Sequence, residues 1–231
     1  MIERRPFEGL GFADHGWLRG RHHFSFADYH DPRRMGWGAL RVWNDDEIEP
    51  KTGFPPHPHR DMEIITYVRE GAITHQDSTG AGGRTEAGDV QVMSAGAGVR
   101  HSEYNLEDGV TKIFQIWILP DRAGGSPSWG AMAFPKGDRA GRFTPLASGI
   151  AGDDALPIRA NARVLGATIK AGESATYPLD PSRHAYLVST AGAVEVNGVR
   201  LEPRDGAAIT GESEIAVKAL ADAEVVLVDA A

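Results

Sequence analysis

Gly53-Phe54-Pro55-Pro56-His57-Pro58-His59-Arg60-Asp61-Met62-Glu63 places two histidines one residue apart, between a proline-rich entry and an apolar run. In a β-strand, residues i and i+2 point to the same face. His57 and His59 can therefore aim two imidazoles at one point, the arrangement a metal ion requires. A second segment, Gly98-Val99-Arg100-His101-Ser102-Glu103, repeats the spacing with a histidine and a carboxylate. The expectation is that the two segments meet in space and hold one metal.

Working outward, the neighbouring segments read as strands. Glu63–Val68 is rich in β-branched residues, Glu70-Gly71 turns, and Ala72–Gln76 returns. A loop tip at 78–83, a turn at Ala87-Gly88-Asp89 and a strand at Val90–Met93 lead to the bend Gly96-Ala97-Gly98. Thr111–Leu119 is apolar on both faces, which marks a buried strand. Gln115, its one interior polar residue, shares a face with Ile113 and Trp117 and is expected to make a structural hydrogen bond. Upstream, Gly38–Trp43 reads as a strand ended by Asn44-Asp45-Asp46. Residues 22–30 show a strand-like alternation around Phe24 and Phe26, and residues 1–20 read as an irregular lead-in. His22 and His23, adjacent and so facing opposite ways, are expected to be surface or hydrogen-bonded histidines. His75 is read as surface or core, and Arg60 and Arg100 as outward-facing.

Beyond a break at 120–140 the chain is β-like again, over 162–170, 185–190, 194–197, 207–210, 214–220 and 224–229. No amphipathic helix of three turns is evident, so the chain reads as all-β, a sandwich or barrel. The two halves share a rhythm. Aligning Gly71 with Gly192 puts Pro178 and Asp180 where His57 and His59 stand, and Ile215–Ala219 answers His101 and Glu103 with no ligand pair. The second half is thus expected to keep the scaffold without the site, with His184 structural.

Bulk properties narrow the function. The 231 residues are enough for one large or two small domains. The absence of cysteine excludes disulfides, thiolate metal sites and thiol nucleophiles. A net charge of -8 argues against a broad nucleic-acid footprint. No apolar run suggests a signal peptide or a membrane span, so a cytoplasmic location is expected. Three imidazoles and one carboxylate suit divalent iron, manganese, nickel, copper or zinc, and leave positions open on a six-coordinate ion. Asp61 and Glu63, which share strand parity with His57 and His59, compete with Glu103 for the carboxylate role. No phosphate-binding loop or nucleophile elbow offers another chemistry.

The run His57, His59, Glu63 followed by Gly71 resembles the first cupin motif, and Gly88 with Gly96-Ala97-Gly98-x2-His101-x3-Asn105 resembles the second. More specifically, His22–Tyr29, His57–Glu63, Thr74–Ser78, Met93–Asn105 and Gln115-Ile116-Trp117 are similar to the pirin family, densely over residues 20–120 and thinly after about 145. That resemblance implies an all-β bicupin of two jelly-roll barrels, divided here as residues 1–130 and 131–231, with metal only in the first. It implies His57, His59, His101 and Glu103 as ligands, leaving Glu63 beside the site, with iron first among the candidate metals. It also implies quercetinase activity: opening of the flavonol heterocycle by dioxygen with release of carbon monoxide, Glu103 serving as both ligand and base. The partners would be a flavonol-like molecule and dioxygen, with no nucleic acid and no membrane. Some pirins resemble a second description, a non-enzymatic regulator whose metal responds to redox state and which binds a protein partner. A purely structural metal is the third reading.

Overall fold

The computed structural model describes residues 1–231. Twelve strands occupy the first half: β1 (Ile2–Arg5), β2 (Gly11–Asp14), β3 (Leu18–His22), β4 (Leu40–Ile48), β5 (Gly53–His59), β6 (Glu63–Glu70), β7 (Ala72–Asp77), β8 (Gly82–Glu86), β9 (Val90–Ser94), β10 (Val99–Tyr104), β11 (Thr111–Ile118) and β12 (Ser128–Met132). Ten follow: β13 (Thr144–Ser148), β14 (Leu156–Pro157), β15 (Ala162–Ile169), β16 (Ser174–Pro178), β17 (His184–Ala191), β18 (Val194–Val196), β19 (Val199–Leu201), β20 (Gly206–Thr210), β21 (Glu214–Ala219) and β22 (Ala223–Ala230). The only helical pieces are two short 3-10 turns, Phe7–Gly9 and Lys136–Arg139. No helix is long and apolar enough to cross a membrane.

Each half pairs a seven-stranded with a four-stranded sheet. The first half has β12-β9-β6-β11-β4-β3-β2 and β5-β10-β7-β8; the second has β1-β20-β17-β22-β15-β13-β14 and β16-β21-β18-β19. The strand orders correspond one to one, so the internal rhythm is a structural repeat and the fold is a bicupin. One strand crosses over. β1, from the amino terminus, pairs antiparallel with β20, from Ile2 opposite Ile209 to Arg5 opposite Gly206.

The largest apolar cluster lies between the halves. It joins Trp43, Ile65, Tyr67, Phe114 and Ile116 to Tyr186, Val188, Val226 and Val228. This explains why β6 and β11 are buried on both faces: one face packs on this seam and the other looks into the barrel. A second cluster of 19 buried residues fills the second barrel. The first barrel holds only two clusters of four.

Several expectations need correction. Residues 1–20 are not an irregular lead-in but contribute β1, β2 and most of β3. Their alternation is obscured because β2 and β3 lie at the end of their sheet, where one face stays wet. The stretch after His22 leaves the strand, with Phe26 and Tyr29 joined only by an isolated bridge. Asn44-Asp45-Asp46 does not end β4, which runs to Ile48 with all three buried. Asp45 is tolerated there because Arg69, and Arg204 from the second half, pair with its carboxylate. The repeat is also offset by one residue from a simple count. His57 lies opposite His101, as Tyr177 lies opposite Ile215. The positions matching His57 and His59 are therefore Tyr177 and Leu179, not Pro178 and Asp180.

Candidate metal centre

The three prolines of β5 are compatible with a strand because β5 is the edge of its sheet, where one row of N–H groups needs no partner. Pro55-Pro56 forms a bulge: the register with β10 shifts between His101 opposite His57 and Glu103 opposite Phe54. Direct pairing sets His57 and His101 side by side, with Nε2 atoms 3.1 Å apart. The nitrogens of His57, His59 and His101 lie within 4.8 Å of one another. His59 stands edge-on to the Trp117 ring at 5.0 Å.

The protonation pattern suits a cation. The Nδ1–H of His57 donates to the Pro55 carbonyl at 2.8 Å, which leaves its Nε2 lone pair facing the cluster. Burial, then the nearby His57, pushes the His59 pKa down to about 4. Burial, then the neighbouring histidines, pushes His101 down to about 2. Neutral imidazoles are the form that binds metal. Two Nε2 lone pairs facing each other repel unless a positive centre sits between them. Their 3.1 Å separation is also the edge spanned by two metal–nitrogen bonds of about 2.1 Å at roughly a right angle. The donor set therefore fits a divalent transition metal.

His101 is itself held by a chain of two side chains on β7. Its Nδ1–H donates to His75 Nδ1 at 3.3 Å, and His75 Nε2–H donates to Asp77 at 3.1 Å. The His75 and Asp77 side chains are each 1% exposed. Burial keeps the His75 pKa low, against the opposing pull of Asp77. Such outer partners fix the tautomer and ring orientation of a ligating histidine. His75 is thus buried and outside the nitrogen cluster, as expected, but it bonds one of the clustered rings. The missed signal was its spacing: His75-x-Asp77 repeats the i, i+2 pattern of the ligand pairs, on the strand that pairs with β10.

Glu103 lies outside the nitrogen cluster but lines the same cavity. Its Oε1 accepts from Gln91 at 2.6 Å and Thr66 at 3.1 Å, and its Oε2 accepts from Gln115 at 2.6 Å. Burial pushes its pKa up to about 7, and the three donors pull the other way. These donors belong to one cross-strand row. Gln91, Thr66, Gln115, Asn44 and His22 are register partners across β9, β6, β11, β4 and β3. Gln115 also accepts from Trp117 Nε1 at 3.3 Å, so its bonds are part of the cavity wall rather than only structural. His22 faces this cavity while His23 is buried against Tyr186 at the seam, on the opposite side as adjacency requires. The cavity measures about 640 Å³, and Phe12, Phe26, Phe54 and Trp117 give it aromatic walls.

Glu63 does not stand beside this site. Its carboxylate accepts from Ser94 Oγ at 2.5 Å and from the Arg159 backbone N–H at 3.1 Å, which ties the first half to the second. The strand parity that linked it to His59 is broken at Asp61, whose φ is +49°. Asp61 accepts from the Gly124 N–H at 2.6 Å, away from the histidines. Arg60 is exposed, and Arg100 reaches the Pro56 carbonyl at 2.9 Å, as their parity implied.

A family model described as Pirin matches residues 4–118, and one described as Quercetinase C-terminal cupin domain matches residues 146–230. A pirin-like protein of Caulobacter vibrioides is 69% identical over 232 residues, covering 100% of both chains. The quercetin 2,3-dioxygenase of Escherichia coli is 40% identical, covering 99% of this chain and 98% of its own. The crystal structure of the bacterial pirin YhhW of Escherichia coli in complex with nickel(II) superimposes with a TM-score of 0.93 at 39% identity, covering 100% of this chain and 99% of that one.

Proposed function

Because the chain belongs to the pirin family, we propose that it is a metal-dependent dioxygenase that opens the heterocycle of flavonols such as quercetin and releases carbon monoxide. The observation that carries this reading is the convergence of three imidazoles on an aromatic-walled cavity of about 640 Å³ that also contains the buried carboxylate of Glu103. That volume falls within the range of about 300–1,000 Å³ usual for small-molecule sites. In this reading residues 1–130 hold the centre, and residues 131–231 form a cupin unit without ligands.

The proposed ligands are His57, His59 and His101, joined by Glu103. Iron is the first candidate, and manganese, nickel, copper or zinc suit the same donors. When bound, the metal supplies Lewis acidity that favours the deprotonated 3-hydroxyl of a flavonol. Glu103 accepts that proton at its carboxylate, which Gln91 and Gln115 keep oriented through their amide N–H groups. Asp77 and His75 hold the His101 ring in place. Phe26, Phe54 and Trp117 offer flat apolar surfaces to the flavonol rings and exclude water from the reacting end.

The test is direct. Iron-loaded protein incubated with quercetin in air is expected to consume dioxygen and release carbon monoxide faster than free iron does. A variant combining His57→Ala and His101→Ala is expected to lose both metal and turnover. Full turnover by that variant, or none by the loaded wild type, would sink the proposal.

A further inference from the structure

The wall facing the histidines carries an acid that the scheme above does not use. Asp46, on β4, lines the cavity, is 3% exposed, and receives no hydrogen bond from the protein. Buried carboxyl groups normally sit among donors, because desolvating one without replacement is costly. Its neighbour Asp45 shows the usual solution: it faces the other side of the strand, where Arg69 and Arg204 hold it. Asp46 has no such partner, and the fold makes space for it. Gly20 lies directly opposite on β3. A Cβ on Gly20 would come within 2.8 Å of Asp46 Oδ1 and 3.2 Å of His22 Cε1. The Gly20 backbone is not left-handed, so glycine serves here for room rather than for a turn.

Two further polar groups stand beside it. His22 Nδ1–H donates to Asn44 Oδ1 at 2.8 Å. That bond leaves His22 Nε2 as an acceptor and the Asn44 NH2 as a donor, and both side chains line the cavity. In the second barrel the strand positions answering Asn44 and Asp46 are Leu165 and Ala167, both buried in its apolar core. A polar patch confined to the hollow barrel, with its acid unpaired, has the character of a site that waits for a ligand.

We propose, resting on the flavonol reading above, that Asp46 with Asn44 and His22 forms a recognition subsite for a phenolic hydroxyl of the substrate, on the cavity wall across from the histidine cluster. The phenol donates its proton in a hydrogen bond to an Asp46 oxygen, and the Asn44 NH2 donates to the phenol oxygen. No bond is made or broken. Burial, then Asp45 and Glu103, raises the Asp46 carboxyl well above the usual carboxylate range. A carboxyl group in its acid form both donates and accepts, which matches a phenol. A site built to bond a hydroxyl discriminates strongly against an analogue that lacks it, because its own polar groups are then left unpaired.

The experiment compares two probes on the metal-loaded protein without oxygen, so that binding is read without turnover. Quercetin carries hydroxyls on both its ring systems; 3-hydroxyflavone keeps the chelating unit and lacks the others. Wild type is expected to favour quercetin by about tenfold to a hundredfold, the worth of one such hydrogen bond. Asp46→Leu is expected to bring that ratio close to one, and Asp46→Asn to keep part of it. Thermal unfolding of the metal-free, ligand-free protein gives a second readout: Asp46→Leu is expected to melt at or above the wild-type temperature, because it removes an unpaired buried acid. A wild-type ratio near one, an unchanged ratio in Asp46→Leu, or a clearly lower melting temperature for that variant overturns the subsite and leaves the flavonol reading standing. Failure of both flavones to bind overturns the flavonol reading and the subsite with it.

Discussion

The two barrels share a strand order and a register, yet one is hollow and polar where the other is filled. Gly71 and Gly192 make the same left-handed turn, with φ of +75° and +74°. Following the pairings outward, Thr66, Gln91 and Gln115 in the first barrel answer to Leu187, Ala207 and Leu227 in the second. Glu103 and His101 answer to Val217 and Ile215, and His57 to Tyr177. Every one of these second-barrel residues belongs to its apolar core. The scaffold does not require the site. The same backbone closes on itself when the inward positions are apolar, and opens a cavity when they are polar, most of those polar groups pairing with one another. The first barrel can keep that cavity because it shares the large apolar seam with its filled neighbour.

The sharpest way to break this comparison is to exchange one matched pair. Leu227→Gln puts an amide into a core with no polar partner, and is expected to cost about 2–4 kcal/mol in denaturant unfolding. Gln115→Leu, the reverse change, is expected to alter the stability of the metal-free protein by less than about 1 kcal/mol while slowing flavonol turnover, because Glu103 loses a donor. Equal costs for the two changes would show that the barrels do not differ as described. Next in size is the hydrogen-bonded chain behind His101. His75→Leu is expected to weaken metal binding about 10- to 100-fold in competition with a chelator, and His75→Gln, which retains a hydrogen-bonding group, by less. Affinity unchanged in His75→Leu would remove β7 from the account of the centre. The smallest effect should come from the seam. Arg204→Ala leaves the buried Asp45 with Arg69 alone, and is expected to lower stability by about 1 kcal/mol. Its unfolding should still be a single transition by two probes, because the two halves share one core.

Some of this was legible in the chain and some was not, and the division follows the range of the interactions. The i, i+2 spacing of His57 and His59, and the turn glycines between strands, express local geometry, and they located both the histidine face and most of the strands. The length of β4 was hidden because Asn44-Asp45-Asp46 looks like a loop until Arg204, far along the chain, is seen pairing with Asp45. Glu63 looked like a neighbour of the histidines because strand parity was carried through Asp61, where the backbone turns left-handed. The part His75 plays is not legible in the chain because it lies in a contact with His101 on another strand.

The sequence by itself determined the residue types that can hold a metal, their shared face on each strand, the all-β class and the loss of ligands in the second repeat. These follow from backbone periodicity and side-chain chemistry within a few residues. Only the tertiary structure decided that β1 completes the second barrel's sheet, that three amide and hydroxyl donors hold Glu103, and that Asp46 faces the cavity unpaired. Strand order and register bring those residues together. They are set by how distant segments share one buried seam, and no local pattern encodes that.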